Sequence, residues 1–389
     1  MFAFFSDPTN RPAGKKGRDT RWQGFLLDAF RCAAKETIVL GAIYRWDLEE
    51  FSEKLNEIRE DRNLSLRICA GRDPDRSDTY YPIPSAVKKA FKDFDGGGIF
   101  ECDPAGMMNH NKFFVFEKFK FDKFSEMHQA LGEIPENSPA LYISSSNISH
   151  NDNNKHNTFV IVPINAAIKK AFGEYYEDLN REYLIAATCR YGTVRSPSSS
   201  RNRYRKVSSD RVKVYFFPRT TGIDTIEGVV DNIRAVPTTD SRAVVNPSSE
   251  IRIVVPRWFN RRVGIAYGLK KLAGKGVDCR VITRCKKKHL GKKVKTALEG
   301  IREHRFQNTG KGVNIHSKYI LIDAPYKDGD SYTMQKLIWV GSANLSPAAI
   351  DRHWEVIIKI KNEEQMFEAF KKNYQNLAET EATVSRFSQ

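Results

Sequence analysis

Long apolar runs, paired cysteines and a basic leader are missing from this chain. No stretch approaches the roughly 18 to 20 apolar residues that a membrane-crossing helix needs, so the sequence reads as a soluble protein. The six cysteines, at 32, 69, 102, 189, 279 and 285, form no C-x-x-C pair and no zinc-ligand spacing, which leaves them as buried apolar fillers. The start, MFAFFSDPTNRPAG, has no basic segment followed by an apolar stretch. That points to a cytoplasmic protein, or to a secreted one whose leader was removed. Acidic residues are also in deficit: 47 Asp and Glu against 63 Lys and Arg give a formal charge of +16. An excess of this size favours a phosphate-bearing partner, either an anionic lipid surface or nucleic acid.

At 389 residues the chain is long enough for two units that each bury a core. Residues 21 to 35 have helical apolar spacing, TIVLGAIYRW is a strand-like run, DLEEFSEKLNEIRE is a helix and LSLRICA a strand. The second half repeats this order with TIEGVVDNIRAV as helix, EIRIVVPRWF as strand, VGIAYGLKKLAG as helix and VDCRVIT as strand. The pairs Arg45-Trp46 and Arg257-Trp258 recur with it, at an offset of about 210 residues. Such self-similarity argues for an internal duplication, and strand, helix, strand order for parallel pairing. Between the halves, RYGTVRSPSSSRNRYRKVSSD is rich in Ser and Arg and reads as a linker. The expected organisation is residues 1–190, a linker at 191–211, and residues 212–389.

One motif appears in both halves. MMNHNKFFVFE holds His110 and Lys112 at the start of an apolar strand, and NIHSKYILIDAP holds His316 and Lys318 in the same setting. Downstream of each, a second strand ends in a small-residue turn, ALYISSSNIS with Ser145 and Asn147, and KLIWVGSANLS with Ser342 and Asn344. Residues two apart on a strand share a face, so two adjacent strands bring four polar groups together. Glu117 and Asp323, seven residues after their histidines, have the opposite parity and should point away. Two such clusters joined by a pseudo-twofold make a phosphodiester site. Lysine ammoniums and asparagine amides hold the nonbridging oxygens, one imidazole attacks phosphorus, and the other protonates the leaving alkoxide.

On these residues the chain resembles the phospholipase D superfamily, whose pattern is H-x-K-x4-D followed by G-S-x-N, twice per active site. HSKYILID and GSANLS fit it, while HNKFFVFE has Glu117 for Asp and SSSN has Ser144 for Gly. VKVYFFPR also looks like a segment of bacterial two-motif members. The resemblance implies an α/β fold of two similar α-β-α sandwich halves packed as a pseudo-twofold dimer in one chain, monomeric overall. It implies a phosphohistidine mechanism with no metal and no cofactor, hydrolysis with transphosphatidylation as a variant, and catalytic residues His110, Lys112, Asn147, His316, Lys318, Asn344 and Glu355. Ser145, Ser342 and Asn157 are expected to bind phosphate.

Glu355, in RHWEVIIKI, occupies a place where family members commonly carry a carboxylate that binds a motif histidine. The matching residue of the first half is Asn157. A carboxylate stabilises imidazolium and an amide does not. Pairing each with the histidine of its own half makes His110 the nucleophile and His316 the acid and base, as the resemblance also implies. A phospholipid or lysophospholipid head group is the expected substrate, with a nuclease or DNA-end phosphodiesterase as the alternative.

Four further features carry weaker expectations. Fifteen Lys and Arg against three acids between Arg261 and Arg305 read as a solvated face or a phosphate lane at the rim of the site. The other six histidines read as surface or packing residues, with His150, His156 and His353 placed to line the pocket. FAFF at 2 to 5 reads as a first strand, a core plug or an interfacial anchor. The segment 118–140 between the two parts of the first motif reads as a surface excursion or a lid.

Overall fold

The computed structural model describes residues 1–8, 18–72, 98–101, 108–188, 207–218, 226–235, 249–284, 289–301, 303–307, 314–351, 353–379 and 384–385. Most of the Ser/Arg-rich linker, and Lys286 to Lys288 of the basic stretch, lie outside these residues.

Residues up to 163 supply β1 (Phe2–Phe5), β2 (Ile38–Ile43), β3 (Ser65–Arg72), β4 (Gly98–Glu101), β5 (Lys112–Phe119), β6 (Ser138–Ser144), β7 (Lys155–His156) and β8 (Thr158–Pro163). Residues from 207 on supply β9 (Val207–Ser208), β10 (Val212–Phe217), β11 (Glu250–Val255), β12 (Asp278–Arg284), β13 (Glu303–Gln307), β14 (Asn314–Ile315), β15 (Tyr319–Asp328), β16 (Ser331–Gly341), β17 (Glu355–Lys361) and β18 (Val384–Ser385). The first sheet runs β1-β8-β6-β5-β2-β3-β4, and the core of the second runs β10-β17-β16-β15-β11-β12-β13, the same order with the same directions. β2 pairs parallel with β3, and β11 with β12, across helical crossovers, as the strand, helix, strand pattern predicts. The duplication in sequence is thus a duplication in topology.

β5 reads as a continuous apolar run because both its faces are covered. Phe114 and Phe116 face helices Arg21–Cys32 and Glu49–Arg62, while Phe113 and Val115 face the other sheet. One buried layer joins the inner faces of both sheets, with Leu141, Val160, Val214, Val340 and Val356 in it. The long helices Ala166–Thr188 and Glu364–Glu379 are wedged into the same layer through Phe172, Tyr175, Phe370 and Tyr374. Helix Val263–Ala273 covers the outer face of the second sheet. The result is two α-β-α halves with their inner faces pressed together.

One expectation is corrected, and two choices left open by the sequence are decided. The helix read over TIEGVVDNIRAV is one short turn, Glu227–Asp231. The segment 118–140 is no lid: β5 starts beside the motif histidine and runs away from it, so its connection to β6 lies at the opposite end of the sheet. There, helix Phe121–Met127 buries Phe121 and Phe124, with Phe124 against Phe25 (5.3 Å) and Phe2 (4.8 Å). Phe2–Phe5 is an edge strand paired with β8, which resolves the FAFF cluster in favour of a first strand.

Phe113 is fully buried against Phe172, with ring centroids 4.9 Å apart. Phe113→Ala is expected to destabilise the protein by about 3 to 5 kcal/mol, read as a lowered midpoint of guanidinium unfolding. A loss below about 1 kcal/mol would mean that Phe113 is not tightly packed in this layer.

Candidate active site

Each motif sits where a strand of one half meets a strand of the other. Asn109 forms a parallel bridge with Trp354, and the His110 N–H donates to the Trp354 carbonyl at 2.9 Å. The counterpart is β14 beside β7, with Ile315 opposite His156 and the His316 N–H donating to the His156 carbonyl at 2.9 Å. The residues that follow, Glu355 after Trp354 and Asn157 after His156, are therefore carried to the histidine of the other half.

This geometry overturns the expected pairing. His110 Nδ1 lies 2.8 Å from Glu355 Oε1, and His316 Nδ1 lies 3.0 Å from Asn157 Oδ1. The partners are exchanged because the strand crossing places each partner opposite the other half's histidine, where counting along the sequence had assigned it to its own. The Asn157 amide is oriented by its NH2 group, which donates to the carbonyls of Asp152 (3.1 Å) and Lys155 (3.3 Å). Its oxygen is left to accept from His316, so His316 carries its proton on Nδ1 and directs Nε2 away from Asn157.

Asp152 is a residue that the sequence reading passed over. It lies on the short helix His150–Asn154, five residues after Asn147, and is fully buried. Its Oδ1 lies 3.4 Å from His316 Nδ1 and 3.3 Å from Lys155 Nζ, and its Oδ2 accepts from Asn147 (3.2 Å) and Ser149 (2.5 Å). A sequence signal existed: an acid sits in the turn after SSSN in the one half whose partner residue, Asn157, has no charge.

The lysines take matching places. Lys112 Nζ donates to the His110 carbonyl and Lys318 Nζ to the His316 carbonyl, both at 2.8 Å, and both side chains are buried beneath the histidines. Lys112 also lies 5.2 Å from the centre of the Tyr44 ring. Burial lowers the Lys112 ammonium to about 8 and holds Lys318 well below its usual value, with Lys112 adding to the effect on Lys318. Burial, followed by the charges of Lys112, Lys318 and Arg257, holds His110 well below the ordinary 6.5. Burial, Lys318, Lys155 and Arg284 do the same to His316. Burial pushes Glu355 up to about 7, against the pull of Lys112. The site is a buried concentration of positive charge with neutral imidazoles.

The histidines and asparagines open onto one cleft of about 930 Å³, lined by His110, Asn147, His316 and Asn344 at its centre. Ser145, Ser342 and Asn157, expected to bind phosphate, do not line it; they are buried and hold β-strand ends in place. Ser145 Oγ donates to Asn157 Oδ1 and accepts from the Thr158 N–H, and Ser342 Oγ accepts from the Val356 N–H, its counterpart. A hydroxyl at these points ties the turn to the neighbouring strand, which leaves none for a ligand. Gly341 fills the same need by its size: a Cβ there would come within 2.2 Å of the Val356 carbonyl oxygen. In the first half Ser144 is accommodated instead and accepts from the Ser146 N–H.

The cleft walls are basic. Arg45, Lys155, Arg257, Arg261, Arg284 and Lys292 line it, so part of the Arg261 to Arg305 stretch does reach the rim. Arg257 is the counterpart of Arg45, and their neighbours Trp258 and Trp46 both bridge to the turn after the asparagine, at Leu345 and Ile148. Arg45 Nε is bonded to Asp47 at 2.7 Å, whereas the place of Asp47 in the second half is taken by Phe259. Arg284 donates to the Ile315 carbonyl, which anchors the backbone just before His316. His353 lines the cleft; His150 and His156 do not, since His156 is buried behind it and serves His316 through its carbonyl. Glu117 and Asp323 face away, paired with Lys169 (3.4 Å) and Lys336 (3.7 Å).

Residues 242–378 match the family model described as "Cardiolipin synthase, PLD-like domain". No curated protein matches the chain by sequence. Among solved structures, 98% of the chain superposes on phosphatidylserine synthase from Haemophilus influenzae Rd KW20, covering 87% of that protein at 12% identity with a TM-score of 0.59. It also superposes over 98% of its length on polyphosphate kinase from Porphyromonas gingivalis, at 10% identity and a TM-score of 0.54, spanning 47% of that longer chain. Residues 242–378 are thus similar by sequence to a phospholipase D-like domain, and nearly the whole chain, with the motif repeated on one cleft, shares the fold of phosphatidylserine synthase.

Proposed function

We propose that the chain is a metal-independent phosphodiesterase that works through a phosphohistidine on His110. The observation that carries this reading is the opening of both motif histidines, one from each half, onto a single cleft with Lys112 and Lys318 buried beneath them. The exchanged partners supply a new reason for the assignment. A carboxylate directly on Nδ1 makes an imidazole a better nucleophile and stabilises the cation that forms on it as it attacks. His110 has that partner in Glu355. His110 Nε2 forms a bond to phosphorus as the bond to the leaving alkoxide breaks, and His316 gives that alkoxide its proton. His316 then takes a proton from water, the water oxygen attacks phosphorus, and the phosphorus–nitrogen bond breaks to release a phosphomonoester. An alcohol in place of water gives transphosphatidylation. The positive charge of the two lysines, with the asparagine amides, meets the charge on the phosphoryl oxygens.

The substrate we infer is a phospholipid or lysophospholipid head-group phosphodiester, the reading closest to the description of the matching family model. A second reading, nucleic acid, is favoured by the rim: among the described residues six cations line the cleft, and none of the exposed large apolar residues Met127, Ile134, Tyr267, Tyr332 and Met334 does. Head-group release from vesicles and nicking of plasmid DNA, each measured in EDTA, separate the two. Turnover of one substrate in wild type, lost by about 10³-fold or more in His110→Ala, is expected. Activity restored only by a divalent ion would overturn the mechanism, and nicking without lipid turnover would overturn the lipid substrate.

The general acid must start protonated and the nucleophile neutral. Both imidazoles lie well below 6.5. As pH rises above the value for His316, its protonated fraction falls about tenfold per unit, and as pH drops below the value for His110, the neutral fraction of that imidazole falls likewise. A plot of kcat/KM against pH should therefore peak below pH 6.5 and decline on the alkaline side. A maximum above about pH 7.5 would contradict His316 as the acid.

A further inference from the structure

The two halves do not treat their histidines alike. Glu355 gives His110 a carboxylate from the other half, and the equivalent residue for His316 is the uncharged Asn157. The place of Asn157 has no room for a second such carboxylate. Its NH2 group donates to the carbonyls of Asp152 and Lys155, and an acid there would set an oxygen against both. Yet His316 does have a carboxylate within reach, Asp152 Oδ1 at 3.4 Å from Nδ1, on the same side as Asn157 Oδ1. Counting five residues on from the motif asparagine reaches Asp152 in the first half and Ala349 in the second. The half that lacks a carboxylate at one position has one at the other.

We propose that Asp152 is the positioning residue of the general acid, replacing through the turn after SSSN the carboxylate that Asn157 lacks and favouring the imidazolium form of His316. The supporting bonds suit this task. Ser149 and Asn147 donate to Oδ2, which turns Oδ1 toward His316 and Lys155. Burial alone would raise the Asp152 carboxyl; Lys155, the Ser149 hydroxyl, Lys112 and Asn147 outweigh it and keep it ionised. The charged groups around His316 are thus Asp152 at Nδ1, whose Oδ1 also holds Lys155, and the cations Lys318, Lys155, Arg284 and Lys112 that with burial lower its imidazole. Without Asp152 the imidazolium would be opposed by four cations, with no anion in contact among the described residues. An opposite charge at this range is worth about one to three pKa units.

The inference rests on the phosphodiesterase reading only for its effect on turnover, so the test includes a readout that needs no substrate. His316 is titrated by NMR of the full chain labelled with 15N-histidine, its signal assigned with His316→Asn. Asp152→Asn keeps the shape and removes the charge; Asp152→Glu keeps the charge and changes the shape. If the proposal holds, His316 follows the charge. Its titration moves to lower pH by about one unit or more in Asp152→Asn and stays near wild type in Asp152→Glu. His110, bonded to Glu355 but also within the field of Asp152, shifts in the same direction by a smaller amount in Asp152→Asn. The maximum of kcat/KM moves to lower pH with the titration, and kcat at a fixed pH above that maximum falls about tenfold or more, with KM changed less. Should Asp152→Asn fail to fold, Asp152→Ser takes its place with the same expectation. Titration of His316 that is unchanged by loss of the charge, or that follows shape instead, overturns the proposal. A titration that follows charge in a protein inactive on every phosphodiester tested would overturn the proposed function and leave this inference standing.

Discussion

Two backbone crossings between the halves determine what the site can be. The bridge of Asn109 with Trp354 and the short pairing of β14 with β7 each join a motif to the opposite sheet. Neither crossing contains more than a few hydrogen bonds, which are individually worth about 1 kcal/mol net. They hold because the apolar layer between the sheets already fixes the halves against each other, with Phe113, Tyr175, Val340 and Trp354 in one continuous core. Packing sets the distance between the halves, and the crossings convert it into the orientation of two imidazoles.

Electrostatics imposes the second constraint. Two lysines, each fully or nearly fully buried, lie under the histidines, and several arginines and lysines line the walls above them. Burying cations costs free energy unless partners compensate. Here Glu355 and Asp152 do so in part, and burial together with mutual repulsion displaces the remainder into lowered pKa values. An arriving phosphodiester would bring the missing negative charge. The free protein is accordingly least comfortable electrostatically at the point where a substrate phosphate would lie, a common arrangement in sites that bind anions.

Much of the fold was legible in the sequence because its signals are local. Apolar spacing marked the helix Arg21–Cys32 and the strands β2, β11 and β12, and the recurrence of Arg-Trp and of H-x-K exposed the duplication. Parity along the strand correctly turned Glu117 and Asp323 away from the site. The partners of the histidines could not be read this way. Whether Glu355 serves His110 or His316 depends on contacts across some 245 residues, which no local periodicity encodes. The placement of Ser145 and Ser342 away from the cleft was not legible for a related reason: a motif does not separate residues that hold a turn from those that touch a ligand. The segment 118–140, read as a surface excursion or a lid, adjoins the motif in sequence, yet the strand that begins at Lys112 carries it away from the cleft.

The exchange of partners has a consequence for how the two halves are free to diverge. If each histidine were served by its own half, either repeat could drift as an independent unit, and a weakened copy would retain its internal matching. Because residue 157 completes the surroundings of His316 and residue 355 those of His110, a change in one repeat is felt by the chemistry of the other. Asn157 and Asp152, both of the first repeat, lie together beside a histidine that belongs to its neighbour. The repeats are separate in sequence and inherit each other's errors.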